Sequence, residues 1–154
     1  MILLVHLLLG ALIGQKISDP VLAIVLAFLS HYFLDLFPHI EYPIENITKK
    51  QWHRALPDIL RVILDFSVGI LLIFLFANPL ANSKNIIIFA CALFAILPDG
   101  FSLLDSVAKN KILQKHSKFH QKRIHFLRDK KISIFWRVSS QIIAVITFII
   151  LLKF

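Results

Sequence analysis

The sequence predicts an all-α, polytopic membrane bundle of four or five transmembrane helices with a basic, amphipathic helical loop on the cytoplasmic side. Three observations carry this. Of 154 residues, 58% are hydrophobic and 17% charged, where an ordinary globular chain has about 45–50% and about 25%. The mean hydropathy is +0.78, which is more apolar surface than a small soluble domain can hide. The apolar residues gather in runs closed by Pro, Gly, Asn or charged residues, as spanning helices require. The same composition excludes disorder. Cys91 has no partner in the sequence, so a disulfide scaffold is excluded too.

The first run covers residues 1–14 and ends near Gln15 and Lys16. It is short for a span, which needs roughly 17–25 residues. It lacks a basic leader and a small-residue cleavage site, so it reads as a retained helix. The second run, 21–37, opens at Asp19-Pro20, with proline in the first turn, and closes at Pro38. The third runs from about 59 to 77 and stops at Asn78-Pro79. The fourth, 86–97, stops at Pro98-Asp99-Gly100, and an amphipathic stretch at 101–107 then suits the membrane surface. The fifth covers about 132–152. No Pro/Ser/Gly-rich linker divides the chain, so residues 1–154 form one membrane domain.

Lysine and arginine set the topology. Fourteen of the 17 lie between the second and third runs (Lys49, Lys50, Arg54, Arg61), between the fourth and fifth (Lys109 to Lys131), or at Arg137. The positive-inside bias places the N-terminus and both long loops in the cytoplasm, in the cytoplasmic (inner) membrane. The net charge of +8 then points to anionic lipid head groups as partner. No RNA-binding signature accompanies the basic loop, so no nucleic-acid partner is expected.

Ionisable residues inside or beside apolar runs are the informative ones, because a bilayer makes them costly and they gather where function needs them. They are His6, His31, Asp35, His39, Asp58, Asp65 and Asp99, joined by loop residues His116, His120 and His125. All fall at the cytoplasmic end of their helix, which suggests one shared site. His31 and Asp35 are four apart and share a helix face, as do His116 and His120. Imidazole and carboxylate at that spacing let one helix offer two ligands to one metal. With no thiolate available, zinc is the first expectation, with manganese or iron as alternatives. His6, His31, Asp35, His39, Asp65, Asp99, His116 and His120 are the candidate ligands. Asp58 or Asp65 is the candidate general base, and Arg54 and Arg61 the candidate contacts for an anionic head group.

Each residue also has a structural reading. His31 and Asp35 can form a plain hydrogen bond, and His6 with Gly10 and Gly14 can form a close-packing face. Asp99 can serve a turn. Asp58 can favour a helix N-terminus. Asp65 can pair with Arg61, and His53 and His125 read as loop and solvated basic-face residues.

The segments His6-Leu7-Leu8-Leu9-Gly10, Ser30-His31-Tyr32-Phe33-Leu34-Asp35-Leu36-Phe37-Pro38-His39 and Leu97-Pro98-Asp99 resemble the family of inner-membrane, metal-dependent hydrolases. That family consists of small multi-span helical proteins with an early membrane His, an sHxxLD helix end and an LPD turn. The resemblance implies metal-dependent hydrolysis. The chain departs from it in three ways. Gly100, Phe101 and Ser102 stand where a second Asp follows the LPD turn. His53-Arg54 leads into Leu56-Pro57-Asp58 rather than a His-Ser pair, with His116-Ser117 as a substitute elsewhere. The order of the motifs is altered.

The expected function is a membrane-embedded, metal-dependent hydrolase acting on a phospholipid or other phosphoester at the cytoplasmic boundary. The alternatives are a metal or proton transporter and a non-catalytic scaffold with a lipid-binding basic loop. Transport needs polar groups through the midplane, and the outer halves of the fourth and fifth runs are almost wholly apolar.

Overall fold

A computed structural model describes residues 2–79, 85–108, 110–125, 127 and 132–154. The topology-setting Lys84, Lys109, Arg128, Lys130 and Lys131 lie outside the described residues. Among those described, the regular structure is all helical. The helices are α1 (Leu3–Lys16), α2 (Pro20–Asp35), α3 (Glu45–Thr48), α4 (Leu56–Ala77), α5 (Asn85–Val107), α6 (Lys111–Phe119) and α7 (Ile134–Lys153). A 3₁₀ turn, Trp52–Arg54, precedes α4, and a π-helical turn, His120–Ile124, continues α6.

Three helices, α4, α5 and α7, are long and apolar enough to cross a membrane. At 1.5 Å per residue, α1 and α2 reach only about 21 and 24 Å, short of a hydrocarbon core about 30 Å thick. Large apolar side chains point outward on α2, α4, α5 and α7, among them Val21, Leu64, Ile86 and Ile143. Water would not tolerate such a surface, whereas lipid matches it.

The apolar runs become helices because a backbone out of water must satisfy its own hydrogen bonds. Local signals set their ends. The Asp19 side chain accepts from Leu22 N at 2.7 Å and caps α2, with Pro20 in the first turn. Asn78 ends α4 in the left-handed region, at φ 41°, which asparagine tolerates better than most residues. Pro79 follows it.

One boundary differs from the expected one. The fourth run does not stop at Leu97. α5 continues through Pro98, Asp99 and Gly100 to Val107, so residues 101–107 are the last turns of the same helix. Proline removes a single rung of the ladder, and a membrane helix tolerates this when neighbours satisfy the freed groups.

The short α1 sits at the centre, in contact with α2, α4, α5 and α7. It buries Val5, His6, Leu7, Leu8, Ala11 and Leu12, so it is apolar all round rather than on one stripe. Small residues bring it close to its neighbours. Gly10 and Gly14 face the α5 backbone at Ala92, Cys91 and Ile88, and Gly69 of α4 faces Leu7. Ala23 and Ala27 of α2 pack on Cys91 and Ala95 of α5. Such interfaces drive helix association in lipid, where there is no hydrophobic force between helices. Gln15 Nε2 donates to Leu152 O at 3.1 Å and ties the end of α1 to the end of α7.

These contacts give an alternating bundle. α1, α4 and α7 run one way, α2 and α5 the other. The starts of α1, α4 and α7 and the later turns of α2 and α5 therefore meet at one end.

A Cβ on Gly10 would lie 2.5 Å from Cys91 O and 2.7 Å from Ala95 Cβ, whereas one on Gly100 meets nothing within 4 Å. We expect Gly10→Ala to destabilise the bundle by about 1–3 kcal/mol through overpacking. Gly100→Ala should be neutral or stabilise by up to about 1 kcal/mol. Thermal melts of the two variants in detergent check the contrast; equal melting temperatures would remove the close-packing argument.

Candidate metal centre

His31 and Asp35 are successive turns of α2, and both are buried. His31 Nε2 lies 3.1 Å from Asp35 Oδ2. From the π-helical turn, His120 Nε2 lies 3.1 Å from the same carboxylate oxygen and 3.1 Å from His31 Nε2. His125 Nε2 joins them, 3.1 Å from Asp35 Oδ2 and 3.3 Å from His120 Nε2. His6 of α1 points its Nε2 at the other oxygen, Asp35 Oδ1, at 3.3 Å. Asp99 of α5 approaches His31 Nε2 at 3.6 Å. Histidines of α1, α2 and the π-turn segment thus converge on the carboxylate of Asp35, with Asp99 of α5 against His31.

The ring nitrogens facing outward decide what the inner ones present. His31 Nδ1 meets Ala95 O at 2.8 Å, and His39 Nδ1 meets Phe37 O at 2.7 Å. A carbonyl only accepts, so both Nδ1 atoms carry a proton. Ser102 Oγ donates to Pro98 O, which leaves its lone pair for His120 Nδ1–H at 3.3 Å. His125 Nδ1 lies 2.8 Å from Glu41 Oε1. Four imidazoles are therefore oriented with Nε2 inward, and a neutral ring turns a bare lone pair to the cluster. Outer acceptors that hold Nδ1–H are what metal-binding histidines use.

Where two such lone pairs face each other and a carboxylate, as at His31 and His120, they repel unless a proton or a metal cation lies between them. The spacing suits a metal cation: ligand atoms on a tetrahedral ion with bonds of about 2.0–2.1 Å stand roughly 3.3 Å apart. His31, Asp35, Asp99 and His120 offer ligand atoms all within 4.8 Å of one another, and so do Asp35, His39 and His125. This buried His/Asp cluster could hold a metal ion. Imidazole and carboxylate donors suit several divalent metals and do not choose among them.

The remaining sequence candidates lie elsewhere. His116 Nε2 meets Tyr32 OH at 2.9 Å, and its ring stacks on His120. Burial, followed by His120 and His31, holds its pKa below the ordinary imidazole value. Asp58 is buried in the first turn of α4 and accepts from Asn46 N at 2.8 Å. Asp65 accepts from Leu3 N at 2.6 Å and so anchors the start of α1. Arg61 pairs with Asp58, at 3.3 Å, which lies three residues back on the same face of α4. Arg54 is an exposed residue of the 3₁₀ turn.

Two cluster members were not singled out as ligand candidates in the sequence. His125, expected on a solvated face, is buried at 8% exposure. His125 N–H donates to His120 O, an i to i+5 bond that sets the two rings on one side of a π turn. In an α-helix residues five apart point roughly 140° apart, so regular periodicity hides the pair. Glu41 belongs to the segment after α2, where no periodicity applies. Gln141 of α7 fastens that segment by donating to Ile40 O at 2.8 Å, and Ser140 Oγ donates to Pro38 O.

Burial lowers the basicity of His125, but the Asp35 and Glu41 carboxylates outweigh it and raise its pKa to about 9. Burial alone would raise Glu41, yet His125 and His39 hold it well below the usual carboxylate range. The charge pattern favours a cation or protons at the cluster.

Beside the cluster lies a cavity of about 790 Å³. Asp99, His120, His125 and Glu41 form its polar side, while Val62, Ile63 and Phe66 of α4 form an apolar wall. Ile63 also faces outward, at 54% exposure, so the wall is continuous with the lipid-facing surface. Arg61 Nη1 donates to Pro43 O, on the cavity lining, at 3.3 Å.

Comparison with family models, curated proteins and solved structures finds no match to this chain.

In the metal-free protein His125 keeps its proton up to about pH 9, and a metal ligand must be deprotonated. Metal uptake should therefore release a proton, and apparent affinity should rise with pH from neutrality to about pH 9, then level. Titration calorimetry in buffers of different ionisation enthalpy checks this. His125→Gln should reduce the proton release, while His116→Gln should leave it intact.

Proposed function

We propose that this chain is a metal-dependent hydrolase of the cytoplasmic (inner) membrane that acts on an amphiphilic phosphoester, a phospholipid being the simplest case. The observation that carries the reading is the cavity, polar where it meets the His/Asp cluster and apolar where it meets α4. An amphiphile fits such a space with its tail along Val62, Ile63 and Phe66 and its head group at the cluster. The motifs around His6, His31–Asp35 and Leu97-Pro98-Asp99 support it through their resemblance to the inner-membrane metal-dependent hydrolases. The bias of lysine and arginine supports placing the N-terminus, and with it the cluster end, in the cytoplasm.

His31, Asp35, Asp99 and His120 would hold the ion, with zinc the first expectation. A bound divalent metal supplies Lewis acidity and lowers the pKa of a water toward about 7. The chain supplies the rest. Ala95 O and Ser102 orient the rings of His31 and His120. Glu41, on the cavity wall, would hold the rings of His39 and His125. Asp58 and Asp65, the sequence candidates for general base, are engaged by Asn46 and Leu3. Arg61, half-exposed behind Pro43, is placed to attract an anionic head group. The apolar wall admits the tail and keeps the head group at the cluster.

The test is release of the head group from phospholipid vesicles or micelles by the zinc- or manganese-loaded protein. His31→Ala and Asp35→Ala should reduce the rate to background with loss of bound metal. Arg61→Gln should raise KM more than it lowers kcat. Absence of hydrolysis from a fully loaded, folded wild type across lipid and soluble phosphoesters would sink the reading.

A further inference from the structure

The cluster holds more than one ion needs. Asp35, Glu41 and Asp99 put three carboxylates beside the rings of His6, His31, His39, His120 and His125. The ligand atoms also fall into two sets whose shared member is Asp35: His31, Asp99 and His120 in one, His39 and His125 in the other.

The two oxygens of Asp35 face different partners. Oδ2 stands 3.1 Å from the Nε2 atoms of His31, His120 and His125. Oδ1 faces His6 Nε2 at 3.3 Å and His39 Nε2 at 3.9 Å. His6 is wholly buried, and neither ring nitrogen has a hydrogen-bond partner. A buried imidazole without a hydrogen bond, aimed at a carboxylate oxygen, marks a place where charge or a ligand belongs. On the second side, His39 Nε2 lies 3.2 Å from Glu41 Oε1, which lies 2.8 Å from His125 Nδ1.

We propose that the site binds two divalent cations bridged by the Asp35 carboxylate, one on His31, Asp99 and His120, the other on His39 and His125 with Glu41 beside them. A carboxylate shared by two ions suits metals about 3.5–4 Å apart, the spacing of two-metal phosphoester hydrolysis. The inference deepens the hydrolase reading and rests on it for its chemistry, but the ion count is measurable without turnover. His6 Nε2 faces the same carboxylate from α1, on its Oδ1 side. Gln141 and Ser140 of α7 hold the 38–41 segment that carries His39 and Glu41.

The experiment is manganese loading of the detergent-purified full chain, read by elemental analysis and electron paramagnetic resonance. The wild type should bind two manganese ions per chain and give a spin-coupled spectrum. His39→Ala, on the half-exposed segment after α2 where folding is least at risk, should bind one ion and give an uncoupled six-line spectrum. One ion per wild-type chain at saturating manganese, with no coupling, would overturn the inference. If that mononuclear protein hydrolyses phosphoesters, the hydrolase reading stands without it. Two coupled ions with no hydrolysis would uphold the two-ion site and overturn the hydrolase reading.

Discussion

The structure depends on the buried carboxylate of Asp35. A charge removed from water is strongly disfavoured unless something compensates it. Here five imidazoles from α1, α2, the segment after α2 and the turn after α6 stand around it. They approach from four different segments. α2 stops within a residue of Asp35. The π turn places His120 and His125 on one side so that both reach the same oxygen. The interaction is strong only because the surroundings are poor in water, and α1 and α5 make them so.

Packing of the small residues makes that convergence possible. Gly10 and Gly14 let α1 lie against the backbone of α5, and Ala23 and Ala27 let α2 do the same from its side. A wider bundle would carry His6 and His31 away from each other, whereas here their rings stack with centroids 4.2 Å apart. Close packing and polar chemistry are therefore not separate layers of the molecule. The Ala95 whose methyl packs against α2 also offers the carbonyl that fixes the ring of His31. Pro98, three residues on, interrupts the ladder of α5 beside the site.

Around the cluster, the chain combines an outer face that suits lipid with an inner face that suits a cation. The cavity joins them. Its apolar wall on α4 continues the exposed surface, and its polar wall is the cluster itself. α6 adds Ile112 and Phe119, both exposed, beside Lys111, Lys115 and Lys118. That pattern is the one interfacial amphipathic helices carry, and α6 leads directly into the turn carrying His120.

Much of this was legible in the order of the residues. Apolar runs opened by Asp19-Pro20 and closed by Pro38 and Asn78-Pro79 determined the helices, because composition and backbone hydrogen bonding act locally. The i, i+4 spacing of His31 and Asp35 was legible for the same reason: helix geometry alone puts them on one face. The common depth of His6, His31, Asp35 and Asp99 followed from helix ends. Other features belonged to the tertiary structure. The flanking Arg123 and Arg128 made His125 read as part of a solvated face, and only the π turn brought it inside. Glu41 has no periodic context, and its position comes from Gln141, a hundred residues away in sequence. Pro98 reads as a stop, yet the helix passes through it because packing in an apolar surround outweighs one missing hydrogen bond. The sequence by itself determined which residues are apolar, where helices begin and which neighbours share a face, all matters of short range. The tertiary structure alone decided which buried nitrogens turn toward one carboxylate, since that depends on distances between segments that local chemistry does not set.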